Sequence, residues 1–511
     1  MRFKKPDPST LNYVRKVRLL PTSEQADILD GQSRICNWLQ NKLKDEVDER
    51  LAQLALLKAD AASTQEVAKP LLAAVYSAIG LRNLVPALKE AHPFLEHVHS
   101  SPLKNIALRV ADTIARFQKQ KKLHGGVAPS HSRWLSYSSW KNAWTSLEYE
   151  EPNKGWDVAQ FGWLELVLGT GPAGGRLRLR LKLERPPKRV THARSCRIIR
   201  EGRDRYYAVF SFKRRKPKPN NAVRAVYMDP NHTNFVYGLD TAGRAFEVGN
   251  LPGLKQAERT LDRLLARRDR CTRKSLWVDT VRPDGSVGTH YRPSRRWSQY
   301  NDAVERLQSR VREQKKHAMF SLANLLCRQY DLIGIGDYVP VNADHGRGTA
   351  YNRAMVNRPF HGRFKSILAW VASRSGKRAV VVPEGGTTRT CHRCGHVVEG
   401  GIAPGIAAWT CQHCATRHLR DENACQNGLV RLLTTSSLEA PDCLPLPCSG
   451  PVQVTARCDW HFHPQGWREA PPGSANVNSM RTLNRQGQLR SHQGVIASSR
   501  IRMNRQSRRQ V

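Results

Sequence analysis

Residues 384–427 read EGGTTRTCHRCGHVVEGGIAPGIAAWTCQHCATRHLRDENACQN, and their reading decides the fold. Cys391-His-Arg-Cys394 and Cys411-Gln-His-Cys414 are two CxxC pairs separated by sixteen residues. Each pair is a tight knuckle that aims two thiolates at one tetrahedral ion, and the two together predict a structural Zn²⁺ held by Cys391, Cys394, Cys411 and Cys414. Four thiolates saturate the ion, so it organises the chain and offers no position to a substrate. His392, His413 and His418 read as surface residues rather than ligands. Cys443, Cys448, Cys458, His461 and His463 downstream match no standard knuckle spacing.

Around the cysteines the chain alternates strand and helix patterns. RAVYMD (224–229), FVYGLD (235–240) and RAFEV (244–248) read as strands, followed by basic helices near 254–269 and 301–329. Strand DLIGIGD (331–337), a helix near 362–375, strand RAVVVPE (378–384) and a last helix from about 421 complete an α/β layer. Three acids fall where elements end: Asp229 closes the first strand, Glu384 closes RAVVVPE, and Asp421 opens the last helix. Phosphodiester hydrolysis by two metal ions calls for carboxylates at neighbouring element ends, about 4 Å of ion separation being typical. Any one of these acids alone reads better as a helix cap or strand end than as a catalytic group.

Upstream, Ile35, Leu39, Leu43, Val47 and Leu51 form an apolar helical stripe, and Leu103, Ile106, Val110, Ile114 and Phe117 form another. Thr22 and Gln25 have capping-box spacing at the start of the first helix. Residues 20–130 therefore read as a mostly helical insert. From 156 to 213 the pattern turns to alternation broken by Gly and Pro, an antiparallel β region. Within it GRLRLRLKLE has one core face and one cationic face, which suits a phosphate backbone or a solvated surface. Beyond residue 436 the chain is rich in Pro, Ser, Gln and Arg, and 481–511 hold eight Arg and no acid, so 437–511 read as a disordered basic tail.

A charge of +40, from 83 Lys plus Arg against 43 Asp plus Glu, asks for a polyanion, and nucleic acid is the simplest one. No basic amphipathic segment with a clean apolar face favours a membrane surface, and no apolar run reaches about 18 residues. Scattered single cysteines fit a reducing cytoplasm better than a disulfide framework.

The run Arg420-Asp421-Glu422-Asn423-Ala424-Cys425-Gln426-Asn427 directly after a four-Cys ribbon resembles the last RuvC motif of the transposon-encoded RNA-guided nucleases called TnpB, and of the related compact type V CRISPR effectors. RKVRLLPTSEQADIL near the N-terminus and VVVPEGGTTRTCHRCG before the ribbon extend the resemblance over most of 12–432. Cys425 stands where the family usually has Ala. The resemblance implies a multidomain α+β chain: a wedge β-barrel (1–19 and 131–217) with the helical recognition insert (20–130), a RuvC nuclease of RNase H-like fold (218–385 and 419–436), an inserted zinc ribbon (386–418) and the tail. It further implies guide RNA and double-stranded DNA as partners, recognition of a short motif beside the target, and Mg²⁺-dependent cleavage, with base pairing reading the sequence.

One position departs from the family. Where its pattern has a Glu at the end of the fourth strand, this chain has Gly336, followed by Asp337. Asp337 could substitute, although neighbouring strand positions face opposite ways. Glu384, at the end of the next strand, could reach the metal pair instead, as some relatives look similar in carrying a relocated Glu before the ribbon. The site could also be inactive, leaving an RNA-guided DNA-binding repressor. The favoured expectation is a site of Asp229, Glu384 and Asp421 holding two Mg²⁺, with Asp229 bridging them.

Overall fold

Thr22 and Gln25 form the reciprocal cap their spacing predicts: the Thr22 amide donates to Gln25 Oε1 at 2.9 Å and the Gln25 amide to Thr22 Oγ1 at 3.3 Å. The computed structural model describes residues 7–473 apart from 8, 60–64, 130–131, 140–142, 160–161, 172–173, 186–189, 219–223, 232–233, 282–286, 339–360, 404 and 440–450. Its contacts divide the chain into one unit of Met1–Lys216 with Arg268–Arg306 and a second of Pro217–Arg267 with Leu307–Val511.

In the first unit β1 (Thr10–Leu20) leads into four helices, α1 (Ser23–Ala59), α2 (Gln65–Tyr76), α3 (Ala78–Ala91) and α4 (Ser100–Leu123). Six strands follow: β2 (Leu147–Tyr149), β3 (Trp156–Ala159), β4 (Trp163–Thr170), β5 (Arg176–Leu183), β6 (Ser195–Glu201) and β7 (Arg205–Arg215). They form an antiparallel sheet in the order β2-β6-β7-β1-β5-β4-β3. Leu39, Leu43 and Val47 of α1 and Leu103, Ile106 and Val110 of α4 share one core with Ala208, Phe210 and Phe212 of β7, so insert and sheet are one packed body. Among the described residues β2 and β3, at the two ends of this order, are not paired with each other. On β5 Leu179, Leu181 and Leu183 are buried while Arg178, Arg180 and Lys182 are exposed, the two-faced strand its alternation predicts.

The second unit carries β8 (Ala225–Pro230), β9 (Val236–Asp240), β10 (Arg244–Val248) and α5 (Leu254–Arg270). The hairpin β11 (Leu276–Val281) and β12 (Val287–Arg292) follows, then α6 (Arg295–Gln329). Residues 268–306, expected inside the nuclease domain, group with the first unit instead. The remaining elements are β13 (Leu332–Gly336), α7 (His361–Ser375), β14 (Arg378–Val382), β15 (Ala408–Thr410), β16 (Arg417–Leu419), α8 (Arg420–Glu439), β17 (Ala456–His463) and β18 (Gly466–Ala470). Their sheet runs β14-β13-β8-β9-β10-β17-β18, with β14, β13 and β8 parallel and β9 antiparallel to both neighbours.

Helix α8 lies on this sheet at unusually close range. A Cβ on Gly428 would fall 2.1 Å from the Tyr227 ring, and one on Gly334 would fall 2.7 Å from Leu432 Cδ2. Both glycines remove the atom that would hold helix and sheet apart.

Two strands correct the expectation of a disordered tail from 437. Strand β17 pairs in parallel with β10, burying Trp460 in a stack on Phe246 with centroids 4.3 Å apart, and Trp467 Nε1 donates to Ala318 O at 2.9 Å. The alternation Cys458-Trp460-Phe462 is a strand signal set in a polar composition. Residues 440–450 and 474–511 of that expected tail lie outside the described residues, as do Cys443 and Cys448.

Candidate active site and metal centre

Because β8, β13 and β14 are parallel, their C-terminal ends share one edge, with Met228 in register with Ile335 and Gly336 with Val382. That edge brings together Asp229 on β8, Glu384 two residues past β14, and Asp421 in the first turn of α8. Asp229 and Asp421 are 8% and 5% exposed. Burial, then the negative charges of Glu384 and Asp421, hold the Asp229 carboxyl well above the usual carboxylate range, with Arg420 opposing. Burial likewise pushes Glu384 up to about 7, against the Tyr338 backbone amide and Lys365, with Asp337 adding to the rise. The three acids predicted from element ends are thus electrostatic neighbours.

Gly336 explains how Glu384 enters this edge. A Cβ at position 336 would stand 1.5 Å from Glu384 Oε1 and 2.3 Å from its Cδ, so the Glu384 carboxyl fills the volume a side chain at 336 would take. Its Oε1 is buried without a hydrogen-bond partner. A buried carboxylate oxygen left unpaired is costly in a protein that offers it nothing else, and a cation is the natural complement. Asp337 has a different part from the substitution considered: its Oδ1 accepts the Glu384 amide at 3.0 Å and its own amide donates to Val382 O at 2.9 Å, fixing the turn on which Glu384 rides.

Two residues that sequence reasoning did not single out complete the frame. Asn231 Nδ2 donates to Asp421 Oδ2 at 2.7 Å, orienting that carboxyl from the end of β8. Lys365 of α7 donates to Tyr338 O at 2.9 Å, and its charge acts on Glu384. Lys365 had a signal in the helical spacing of 362–375; Asn231 had none beyond its distance of two from Asp229.

The asparagines of the DENACQN run bind the loop that joins this edge to the cysteines. Asn423 Nδ2 donates to Thr387 O at 3.1 Å and Thr390 O at 2.8 Å, and Asn427 Nδ2 to the same two carbonyls at 2.8 Å each. Asn423 Oδ1 accepts the His392 amide at 3.0 Å. One helix therefore presents Asp421 and fixes the segment 387–392 that follows Glu384. Cys425, small like the residue it replaces, is fully buried and its thiol donates to Tyr237 O at 3.4 Å.

The sulfurs of Cys391, Cys394, Cys411 and Cys414 all lie within 4.8 Å of one another, as four ligands of one ion must. Each knuckle closes alike. Gly395 N donates to Cys391 O at 2.9 Å and Ala415 N to Cys411 O at 3.0 Å, and both residues have positive φ, 76° and 55°. The donor set fits zinc. His418 departs from the surface reading: it is 3% exposed, its Nε2 is 3.1 Å from Cys391 Sγ, and its ring packs against Trp409 and His392. Among the described residues the cysteines are the one group of three or more such ligands gathered this tightly. The described residues contain no single helix long and apolar enough to cross a membrane; the bent pair α2–α3 passes that test jointly, but Val75, Leu81, Val85 and Leu88 of the pair are core residues of the first unit.

A family model described as Cas12f1-like, TNB domain, matches residues 361–427, the span from α7 to the second Asn of α8. It supports the resemblance to compact type V and TnpB-like effectors over that span. A sequence search of curated proteins gives no match. Among solved structures, the chain is similar to a Cas12f1–sgRNA–target DNA complex, with 10% identity, 82% of this chain and 98% of that one covered, and a TM-score of 0.45. It is also similar to the mini-RNA-guided endonuclease CRISPR-Cas_phi3, with 12% identity, 87% and 94% coverage and a TM-score of 0.36. For a Cas12i1 R-loop complex after target DNA cleavage the values are 8% identity, 72% and 56% coverage and 0.29.

Proposed function

We propose that the protein is an RNA-guided DNA endonuclease of the compact type V or TnpB-like kind, cutting at Asp229, Glu384 and Asp421. The observation that carries this reading is the occupation of the Gly336 side-chain volume by Glu384, whose inner carboxylate oxygen has no partner. Burial first, and then the charges of Glu384 and Asp421, raise the Asp229 carboxyl, an arrangement that a bound cation would relieve and that supports a metal-holding site. The sheet order β10-β9-β8-β13-β14, antiparallel then parallel, supports an RNase H-like RuvC domain, and the charge of +40 suits simultaneous binding of guide and target.

Asp229, Glu384 and Asp421 are the residues that would hold a pair of Mg²⁺ ions, which would supply water activation and charge stabilisation at the leaving oxygen. Asn231 holds the Asp421 carboxyl in place, Asp337 holds the Glu384 turn, and burial keeps bulk water from competing for the carboxylates. The four-cysteine knuckles would hold a zinc ion, and Asn423 and Asn427 of α8 hold the carbonyls of Thr387 and Thr390 in the segment that leads into the first knuckle. Guide pairing supplies the sequence specificity.

Gly336, standing where the family pattern has its fourth-strand Glu, favours a second reading: an RNA-guided DNA-binding protein that does not cut. Co-expression with the flanking DNA, sequencing of copurifying RNA and incubation with Mg²⁺ and a guide-matched plasmid library separates the two. Cutting that is lost in Glu384→Ala supports the nuclease. Target binding without cutting by wild type establishes the repressor, and absence of a discrete RNA overturns both.

A further inference from the structure

Trp277 is 71% exposed at the start of β11, in the first unit, with Leu276 and Val287 also largely exposed. Register places Trp277 opposite Tyr291, and their rings lie 5.2 Å apart. Tyr291 meets Trp297 edge-on at 5.9 Å, and the Arg268 guanidinium lies 5.6 Å from the Trp297 ring. The result is a row of three rings anchored on α6 at one end and open to water at Trp277.

A solvent-facing indole on a braced row is apolar area waiting for an occupant, and the charge around it says which kind. Residues 270–296 hold seven Arg and Lys and two Asp. Arg273, Lys274, Arg292, Arg295 and Arg296 are all exposed. Flat apolar faces carried on a polyanion satisfy both features, and an unpaired nucleic-acid strand offers that combination because a duplex keeps its base faces stacked. We propose that Trp277 is a stacking platform for a base of an unpaired strand, with the flanking cations along its phosphates. The source of the strand rests on the guided-nuclease reading; the contact itself does not require catalysis.

The test measures binding of a short single-stranded oligonucleotide, and of the matching duplex, to the full-length protein over a salt series. Trp277→Ala should weaken single-strand binding roughly 5- to 100-fold at every salt without changing the slope of log affinity against log salt, while Trp277→Phe retains most of it. Arg273→Gln with Lys274→Gln should instead reduce that slope by about 1.4. Duplex affinity should hold in Trp277→Ala. Equal single-strand affinity in Trp277→Ala and wild type overturns the proposal. So does an equal loss for duplex, or a changed oligomeric state in sedimentation, which would assign the patch to a protein interface. If wild type never cuts a guided target, the nuclease reading fails and the binding comparison still decides the role of Trp277.

Discussion

Gly336 and Glu384 compete for one volume: a Cβ on the glycine and the carboxyl of the glutamate would be 1.5 Å apart. Gly336→Ala should therefore cost about 1–3 kcal/mol by overpacking, read from thermal or denaturant unfolding, and Glu384→Ala should suppress most of that cost in the double variant. The exchange Gly336→Glu with Glu384→Gly returns a carboxylate to the same space from the neighbouring strand, and it should recover cleavage that Glu384→Gly alone lacks. Additive stability effects at the two positions would mean that they do not share the space.

The raised carboxyls make stability depend on pH in a stated direction. Glu384 goes from an ordinary value of 4.5 to about 7 on folding, and Asp229 is also raised. Across that interval the folded protein holds protons that the unfolded chain has shed, so this contribution favours folding below about 4.5 and is lost as the pH rises through about 7. Divalent cations bind the deprotonated carboxylates and offset that loss. Mg²⁺ or Mn²⁺ should therefore raise the Tm more at about pH 8 than at about pH 5.5, and Glu384→Gln should shrink the difference. An ion effect of equal size at both pH values, or one untouched in Glu384→Gln, would place the cation elsewhere.

The sequence made the metal knuckles legible because ligand spacing is a local property: four cysteines at two CxxC pairs need no knowledge of the fold. The acids were legible only as ends of elements; that Asp229, Glu384 and Asp421 are neighbours follows from the parallel run of β8, β13 and β14, which sets their ends on one edge. His418 was misread because it is the middle residue of a three-residue strand, too short for a periodicity that would announce its burial beside Trp409. Strands β17 and β18 were hidden by composition, since the stretch after 436 averages as a polar tail although Cys458, Trp460 and Phe462 alternate inward. Asn423 and Asn427 belonged to the quoted motif, yet their work on the carbonyls of Thr387 and Thr390 depends on a loop 33 to 40 residues earlier in the chain.

Ala415 and Gly395 hold equivalent positions after the second cysteine of each knuckle, and both adopt positive φ. The alanine pays for its Cβ there and the glycine does not. Ala415→Gly should stabilise the ribbon by about 1 kcal/mol and slow zinc loss to a chelator, and Gly395→Ala should do the reverse by a similar amount. Chelator release followed by a zinc-sensitive dye reads both. Faster release from Ala415→Gly would show that the second knuckle is not limited by this backbone strain.

Trp460 closes the edge that β10 would otherwise present, stacking on Phe246 while β17 takes up the β10 hydrogen bonds. Gln426 ties the approach to this strand down from the site helix, its side chain donating to Val452 O at 2.5 Å and accepting the Val452 amide at 2.9 Å. Arg457 extends the link by donating to Glu422 Oε2 at 2.8 Å, one residue from Asp421. A chain stopped after residue 450 should lose this cover, expose an apolar strand edge and aggregate, whereas one stopped after 473 keeps both strands and should stay folded. Trp460→Ala should cost about 3–5 kcal/mol in unfolding experiments, because the indole is 2% exposed and stacks on the buried Phe246 ring. Undiminished stability in the chain ending at 450 would mean that β17 and β18 are an ornament of the sheet and that α8 holds Asp421 without them.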